Sequence, residues 1–248
     1  MLILALETAT LTGSVALVDA STAEDASSPA MKIVGEITLN LQSTHSERLM
    51  PSIHKLLEES SAKVHDLQGI ALSLGPGSFT GLRIGVSTAK GLAYALKIPV
   101  AGVSTLEALA WNVPYHSAVI CPLLDARKKE VYAAFFQGDE EGTIRRKSED
   151  WVLSPEDLCR RVSERTLFLG NGLEGYGEVL RKNLGPRASF APPEFSLPRA
   201  LNVAKLGLPK FKRAQTLDLF SFTPIYLRRS EAEIHHEVQG EKSKSSPG

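Results

Sequence analysis

The stretch Leu74-Gly75-Pro76-Gly77-Ser78-Phe79-Thr80-Gly81-Leu82-Arg83-Ile84-Gly85-Val86-Ser87-Thr88-Ala89-Lys90-Gly91 constrains this chain more than any other. An apolar run from Ile70 stops at the Gly-Pro-Gly turn, and Ser78 or Thr80 can then cap a helix reaching about Leu96. A strand, a glycine turn and a helix N-terminus gather free backbone N–H groups and a positive dipole end at one place, which is the arrangement of an anion site. The same helix carries Gly81, Gly85, Ala89 and Ala93 four residues apart. They form a ridge almost without side chains, along which a second helix can pack closely.

Around this unit the pattern reads as a mixed α/β fold. Leu2–Leu6 and Ser14–Asp19 predict a hairpin, Lys32–Leu41 a third strand, and Gly69–Leu74 a fourth. Thr44-x-x-Glu47 is a capping box opening a helix that Pro51 should bend. Pro99–Val103 predicts a short strand and Ser104-x-x-Glu107 a second capping box. A second block follows, with strands at Ala118–Leu124, Glu130–Phe136 and Thr166–Leu169 and helices after Ser154, at Leu173–Leu184 and at Arg199–Leu208. Pro224–Arg228 predicts a last short strand; Ala20–Ala30 reads as a loop and 230–248 as a polar tail. Strands alternating with helices in both blocks suggest two related units, each a sheet with helices packed on it.

Charge narrows the function classes. Lys and Arg number 28 and so do Asp and Glu, so no global field draws the chain to nucleic acid. Arg145-Arg146-Lys147 and the Lys210, Lys212, Arg213 group read as solvated surface. No basic region precedes Leu2-Ile3-Leu4, and Lys97 and Pro99 interrupt the most apolar later stretch, so the reading is of a cytoplasmic chain with no membrane segment. Cys121 and Cys159 lack metal spacing and fit a reducing compartment, with a single disulfide left open.

The chemistry-bearing motifs are incomplete. Gly75-x-Gly77-x-x-x-Gly81 lacks the Lys-Ser/Thr ending of a P-loop, since Leu82-Arg83 follows, and Thr80 replaces the third glycine of a dinucleotide fingerprint. The loop is then either a weak anion site or a tight turn that lets the helix pack closely. Glu7 could hold a magnesium-bound water or bond turn N–H groups; Arg83 could reach a phosphate or a partner carboxylate. His45 and His54 fall on opposite faces of their helix, and no His pair has metal spacing. Asp125, Arg127 and Glu130 read as a hairpin ion-pair cluster.

Six stretches together resemble the TsaB (YeaZ) family, accessory subunits in forming threonylcarbamoyl-adenosine on tRNA. They are Leu4-Ala5-Leu6-Glu7-Thr8-Ala9-Thr10, His45-Ser46-Glu47-Arg48-Leu49-Met50-Pro51, the block from Gly75 to Gly85, Gly102-Val103-Ser104-Thr105-Leu106, Asp125-Ala126-Arg127-Lys128-Lys129-Glu130-Val131-Tyr132 and Pro224-Ile225-Tyr226-Leu227-Arg228. The resemblance implies a two-lobed fold of the actin, hexokinase and chaperone-ATPase type, ribonuclease H-like, with mixed sheets and flanking helices. Its lobes are then 1–104 with 214–229, and 105–213. It implies no catalytic or metal-binding residue and no cofactor of the chain's own, with ATP or ADP at a joint with TsaD. TsaD, the metal-bearing partner, would dock on helices of the first lobe, TsaE would join, tRNA would be met through the complex, and the face could self-pair when TsaD is absent. The expected interface is His45, Arg48, Leu49, Gly81, Arg83, Gly85, Ala89 and Ala93; Gly85→Leu should then block TsaD and leave the fold intact. The expected nucleotide-contacting set is Glu7, Thr8, Gly75, Gly77 and Ser78. Glu7 stands where many members have Asp, which weakens the alternative reading, an ATP-binding phosphotransferase of the same fold. A metallopeptidase is disfavoured by the histidine spacing.

Overall fold

The computed structural model describes residues 1–20, 31–40 and 45–228. The expected loop at 21–30, the Thr44 end of the first capping box and the tail at 230–248 lie outside the described residues.

The first sheet contains β1 (Leu2–Glu7), β2 (Thr12–Asp19), β3 (Lys32–Asn40), β4 (Gly69–Gly75) and β5 (Val100–Ser104), in the order β3-β2-β1-β4-β5. The first three strands run antiparallel, and β4 and β5 lie parallel to β1. Between β3 and β4 comes α1 (His45–Glu59), which continues through Pro51; α2 (Phe79–Leu96) and then α3 (Thr105–Ala110) flank β5 in sequence.

The second sheet repeats this plan. It contains β6 (Val119–Arg127), β7 (Glu130–Ala133), β8 (Phe136–Gly138), β9 (Ile144–Arg146), β10 (Trp151–Leu153), β11 (Thr166–Leu169) and β12 (Ala188–Phe190). Its main path, β10-β7-β6-β11-β12, again has three antiparallel strands followed by two parallel ones. The helices α4 (Pro155–Arg161), α5 (Gly172–Leu184) and α6 (Ala200–Lys212) complete the order. The two blocks are thus one topology used twice, with mixed sheets and flanking helices as the resemblance implies.

Each sheet buries both faces. Leu49, Ile53, Leu56 and Leu57 of α1 and Val86, Ala89 and Ala93 of α2 pack on the outer face of the first sheet. Ala200, Val203, Ala204 and Leu208 of α6 cover its other face against Ile3, Ala5 and Ala71. Leu106 and Leu109 of α3 meet the second sheet, whose far face carries Leu158 of α4 and Leu180 of α5. The layers run α1/α2, first sheet, α6 and α3, second sheet, α4/α5. The helix α6, assigned by sequence to the second lobe, therefore packs on the first sheet. Its apolar positions match an Ala-rich sheet surface, and Gly207 of the helix lies directly against Ala71.

Two further expectations change. The strand expected over Glu130–Phe136 breaks at Ala134-Phe135, where the Phe135 N–H turns to Ser148 Oγ (2.8 Å), leaving β7 and β8 as separate strands against β6. Pro224–Arg228 forms no strand; its tie to the first sheet is one bond, from Ile225 N–H to the Leu74 carbonyl at 2.7 Å. Cys121 and Cys159 are buried free thiols, and burial pushes both upward in pKa.

Candidate functional site

The glycine turn and α2 are seated on the β1–β2 turn of the same lobe. A side chain on Gly77 would collide with the carbonyl of Ala9, one on Gly81 with the carbonyl of Thr8, and one on Gly85 with the Thr8 hydroxyl. At the N-terminus of α2, Ser78 N–H donates to Ala9 O at 2.6 Å, and Ser78 Oγ accepts from Gly81 N–H at 3.3 Å as the cap. The close approach of two backbone segments gives these glycines their physical reason.

Glu7 lies beneath this turn and is fully buried. Its Oε1 accepts the Ala9 N–H at 2.7 Å and its Oε2 accepts the Ser73 hydroxyl. Loss of water around the carboxylate raises its pKa to about 7, against the lowering effect of the Ser73, Ala9 and Thr8 hydrogen bonds. Both carboxylate oxygens are therefore engaged by the chain itself, in the turn-bonding arrangement that sequence left as one of two options.

The expected docking ridge faces inward. Gly81, Gly85, Ala89 and Ala93 are buried against the lobe's own core, and Leu49 is a core residue of α1. Leu82 and Val86 lie on the same side and draw these positions in, because a helix buries its apolar stripe. Half-buried His45 rests against Gly13 and Gly81, with its Nε2 2.6 Å from the Thr10 carbonyl oxygen. Of the eight expected interface residues, Arg48 and Arg83 are exposed. Gly85→Leu would consequently disturb the fold itself, contrary to the expectation above.

A second row on α2 faces outward. Arg83, Ser87, Gly91 and Ala95 also fall four apart, and all are exposed. Among the described residues, a Cβ on Gly91 would meet nothing within 4 Å. Beside this row a groove of about 500 Å³ runs between α1 and α2, bordered by Met50, Thr80, Ile84 and Thr88. Met50 of α1 is 47% exposed. Both ends of α2 carry aromatic contacts from the segment after α6. At its start Phe79 packs on Tyr226, ring centres 4.7 Å apart, and at its end Tyr94 meets Phe220 at 6.4 Å, both largely exposed. The outward row was readable in the sequence by the same spacing as the inward one; the position of Leu82 and Val86 is the signal that separates them.

A cleft of about 920 Å³ separates the β1–β2 turn from the β6–β7 turn. Thr10, Gly77, Ser78 and Thr80 line one side, and Asp125, Arg127, Lys128, Tyr132 and Tyr176 the other. Arg127, Lys128 and Lys129 adopt left-handed conformations in succession, with φ of 62°, 51° and 63°. From the expected nucleotide-contacting set, Gly77 and Ser78 border the cleft, whereas Glu7, Thr8 and Gly75 are buried beside it. Among the described residues no group of three or more His, Cys, Asp or Glu side chains could hold a metal ion, and no helix is long and apolar enough to cross a membrane.

Comparison with known proteins agrees with this architecture. The family model described as "TsaD: tRNA N6-adenosine threonylcarbamoyltransferase" matches residues 32–236. The tRNA threonylcarbamoyladenosine biosynthesis protein TsaB of Bacillus subtilis is 33% identical over 94% of this chain and 96% of its own length. Its namesake in Escherichia coli is 32% identical over 76% and 82%. The solved structure of YeaZ from Pseudomonas aeruginosa superposes with a TM-score of 0.73 at 29% identity, covering 91% of this chain and 99% of that one. The chain belongs to the family that this model describes and, within it, to the TsaB (YeaZ) proteins.

Proposed function

We propose that this chain is a cytoplasmic, non-catalytic subunit in the biosynthesis of threonylcarbamoyladenosine on tRNA. It docks TsaD, with TsaE joining, and so enables threonylcarbamoyl transfer to N6 of adenosine 37 in tRNAs reading codons that start with A. The relatives' name supports the pathway, and one observation supports the docking role: α2 presents an outward row of Ser87, Gly91 and Ala95, all exposed among the described residues. An exposed glycine inside a helix costs about 1 kcal/mol relative to alanine, a cost that close approach of a partner helix would offset. In this reading the tRNA is met through the complex. ATP or ADP belongs at the joint with TsaD, because the buried carboxylate of Glu7 has both oxygens engaged. The same face pairs two copies of the chain when TsaD is absent.

Reconstitution tests the role. Modified adenosine is measured with TsaD, TsaE and the carbamoyl-adenylate source, with and without this chain; equal product without it refutes the accessory function. The cleft between the lobes favours the second reading, an ATP-binding phosphotransferase. Sustained phosphate release by the isolated chain would support that reading over the first.

A further inference from the structure

We propose that Arg83 is the anchor of the docking face and takes a carboxylate from a helix of the docked TsaD subunit; this rests on the reading that TsaD docks there. Arg83 is exposed at the head of the outward row. Its guanidinium carbon stands 3.8 Å from the centre of the Phe79 ring, and its Nε donates to the Tyr226 hydroxyl at 3.1 Å. Phe79 and Tyr226 in turn pack on each other. The side chain is therefore held in one orientation before any partner arrives, which removes much of the ordering cost of binding. Its two terminal nitrogens have no acceptor among the described residues. They form a planar pair of donors matched to a carboxylate.

The surroundings favour a protein carboxylate over an RNA phosphate. Ile84, Met50 and Ser87 share the groove with Arg83. Lys90, the other cation within α2, donates to the Phe220 carbonyl at 3.2 Å and lies 4.7 Å from the Phe222 ring centre. A phosphate backbone is held by a row of cations. A single oriented arginine among aromatic and apolar groups is the composition of a protein–protein hot spot. Tyr226 also gives the segment after α6 a part in recognition, since its hydroxyl accepts from Arg83 Nε and orients the fork.

Calorimetric titration of TsaD from the same organism into the full chain tests the assignment, with Arg83→Ala, Arg83→Lys, Tyr226→Phe and Ser87→Trp as variants. Arg83→Ala should weaken binding about 30-fold or more and flatten its salt dependence, as removal of one member of a desolvated charge pair does. Arg83→Lys should restore only part of the affinity, and Tyr226→Phe should lose about threefold, the worth of one hydrogen bond. Ser87→Trp should abolish binding by blocking the row. Wild-type affinity in Arg83→Ala beside abolished binding in Ser87→Trp overturns the anchor and keeps the face. Wild-type affinity in Ser87→Trp overturns both. If Arg83→Ala keeps TsaD but loses affinity for tRNA in a parallel titration, the ligand is a phosphate and the assignment fails.

Discussion

The carbonyl oxygen of Thr8 occupies the space where Gly81 would carry a side chain. The turn after β1 and the first turn of α2 are fitted to each other at backbone distance, and a methyl group there must push one of them away. Gly81→Ala should destabilise the protein by about 1–3 kcal/mol, the range for overpacking. Gly91→Ala, on the open side of the same helix, should stabilise it by about 0.5–1 kcal/mol. Denaturant unfolding of the two variants checks both signs; equal effects would mean that the inward and outward assignments are wrong.

Glu7 should make stability fall as pH rises. Its folded-state pKa of about 7 lies above the ordinary value of 4.5, so the fold favours the protonated acid. The resulting stabilisation is fully present below the unfolded-state pKa and is lost as pH climbs through the folded one. The loss is on the order of 3 kcal/mol. Glu7→Gln cannot ionise, so its stability relative to the parent should improve steadily from pH 5 to pH 8. Parallel pH profiles for the two proteins would remove Glu7 as the cause.

Glu36 on β3 caps a helix far along the chain. Its Oε1 accepts the N–H of Leu201 at 3.0 Å, across 165 residues, and its Oε2 takes the Arg199 guanidinium. Ser14 Oγ accepts the neighbouring N–H of Ala200 at 3.0 Å. Glu36→Ala should cost about 1–2 kcal/mol, chiefly through the lost cap and its favourable dipole interaction. Glu36→Gln should retain the larger share, because the ion pair is partly solvated and worth little. Thermal unfolding of both variants separates cap from charge.

Met50→Arg should weaken TsaD capture without altering stability, since the side chain is half exposed in the groove beside the outward row. A change in melting temperature with unchanged capture would assign Met50 to the fold instead of the interface.

The strand–turn–helix unit at the glycine motif was legible because a turn, a cap and an apolar stripe agree locally: Ser78 caps α2, and the helix ends at Leu96 as spacing implies. The direction of the ridge was not. Glycine and alanine have no strong preference for inside or outside, so two rows of small residues on one helix look alike until Leu82 and Val86 are used to orient them. The placement of α6 was hidden for a different reason: sequence proximity assigns a helix to its neighbours, whereas α6 answers to a surface built from β1, β4 and β5. Tyr226 escaped notice as a partner of Arg83 because 143 residues separate them.

The return of the chain after the second sheet has a consequence for synthesis. Leu217 bonds the Val100 carbonyl, Phe222 enters the core beneath α2, and Tyr226 steadies Arg83. While these residues are still inside the ribosome the first half of the protein lacks both its covering helix and its closing strap. A nascent chain stalled before residue 200 should therefore be open to proteases along its earliest strands, and a competent docking surface should form only once Leu217, Phe222 and Tyr226 have left the ribosome.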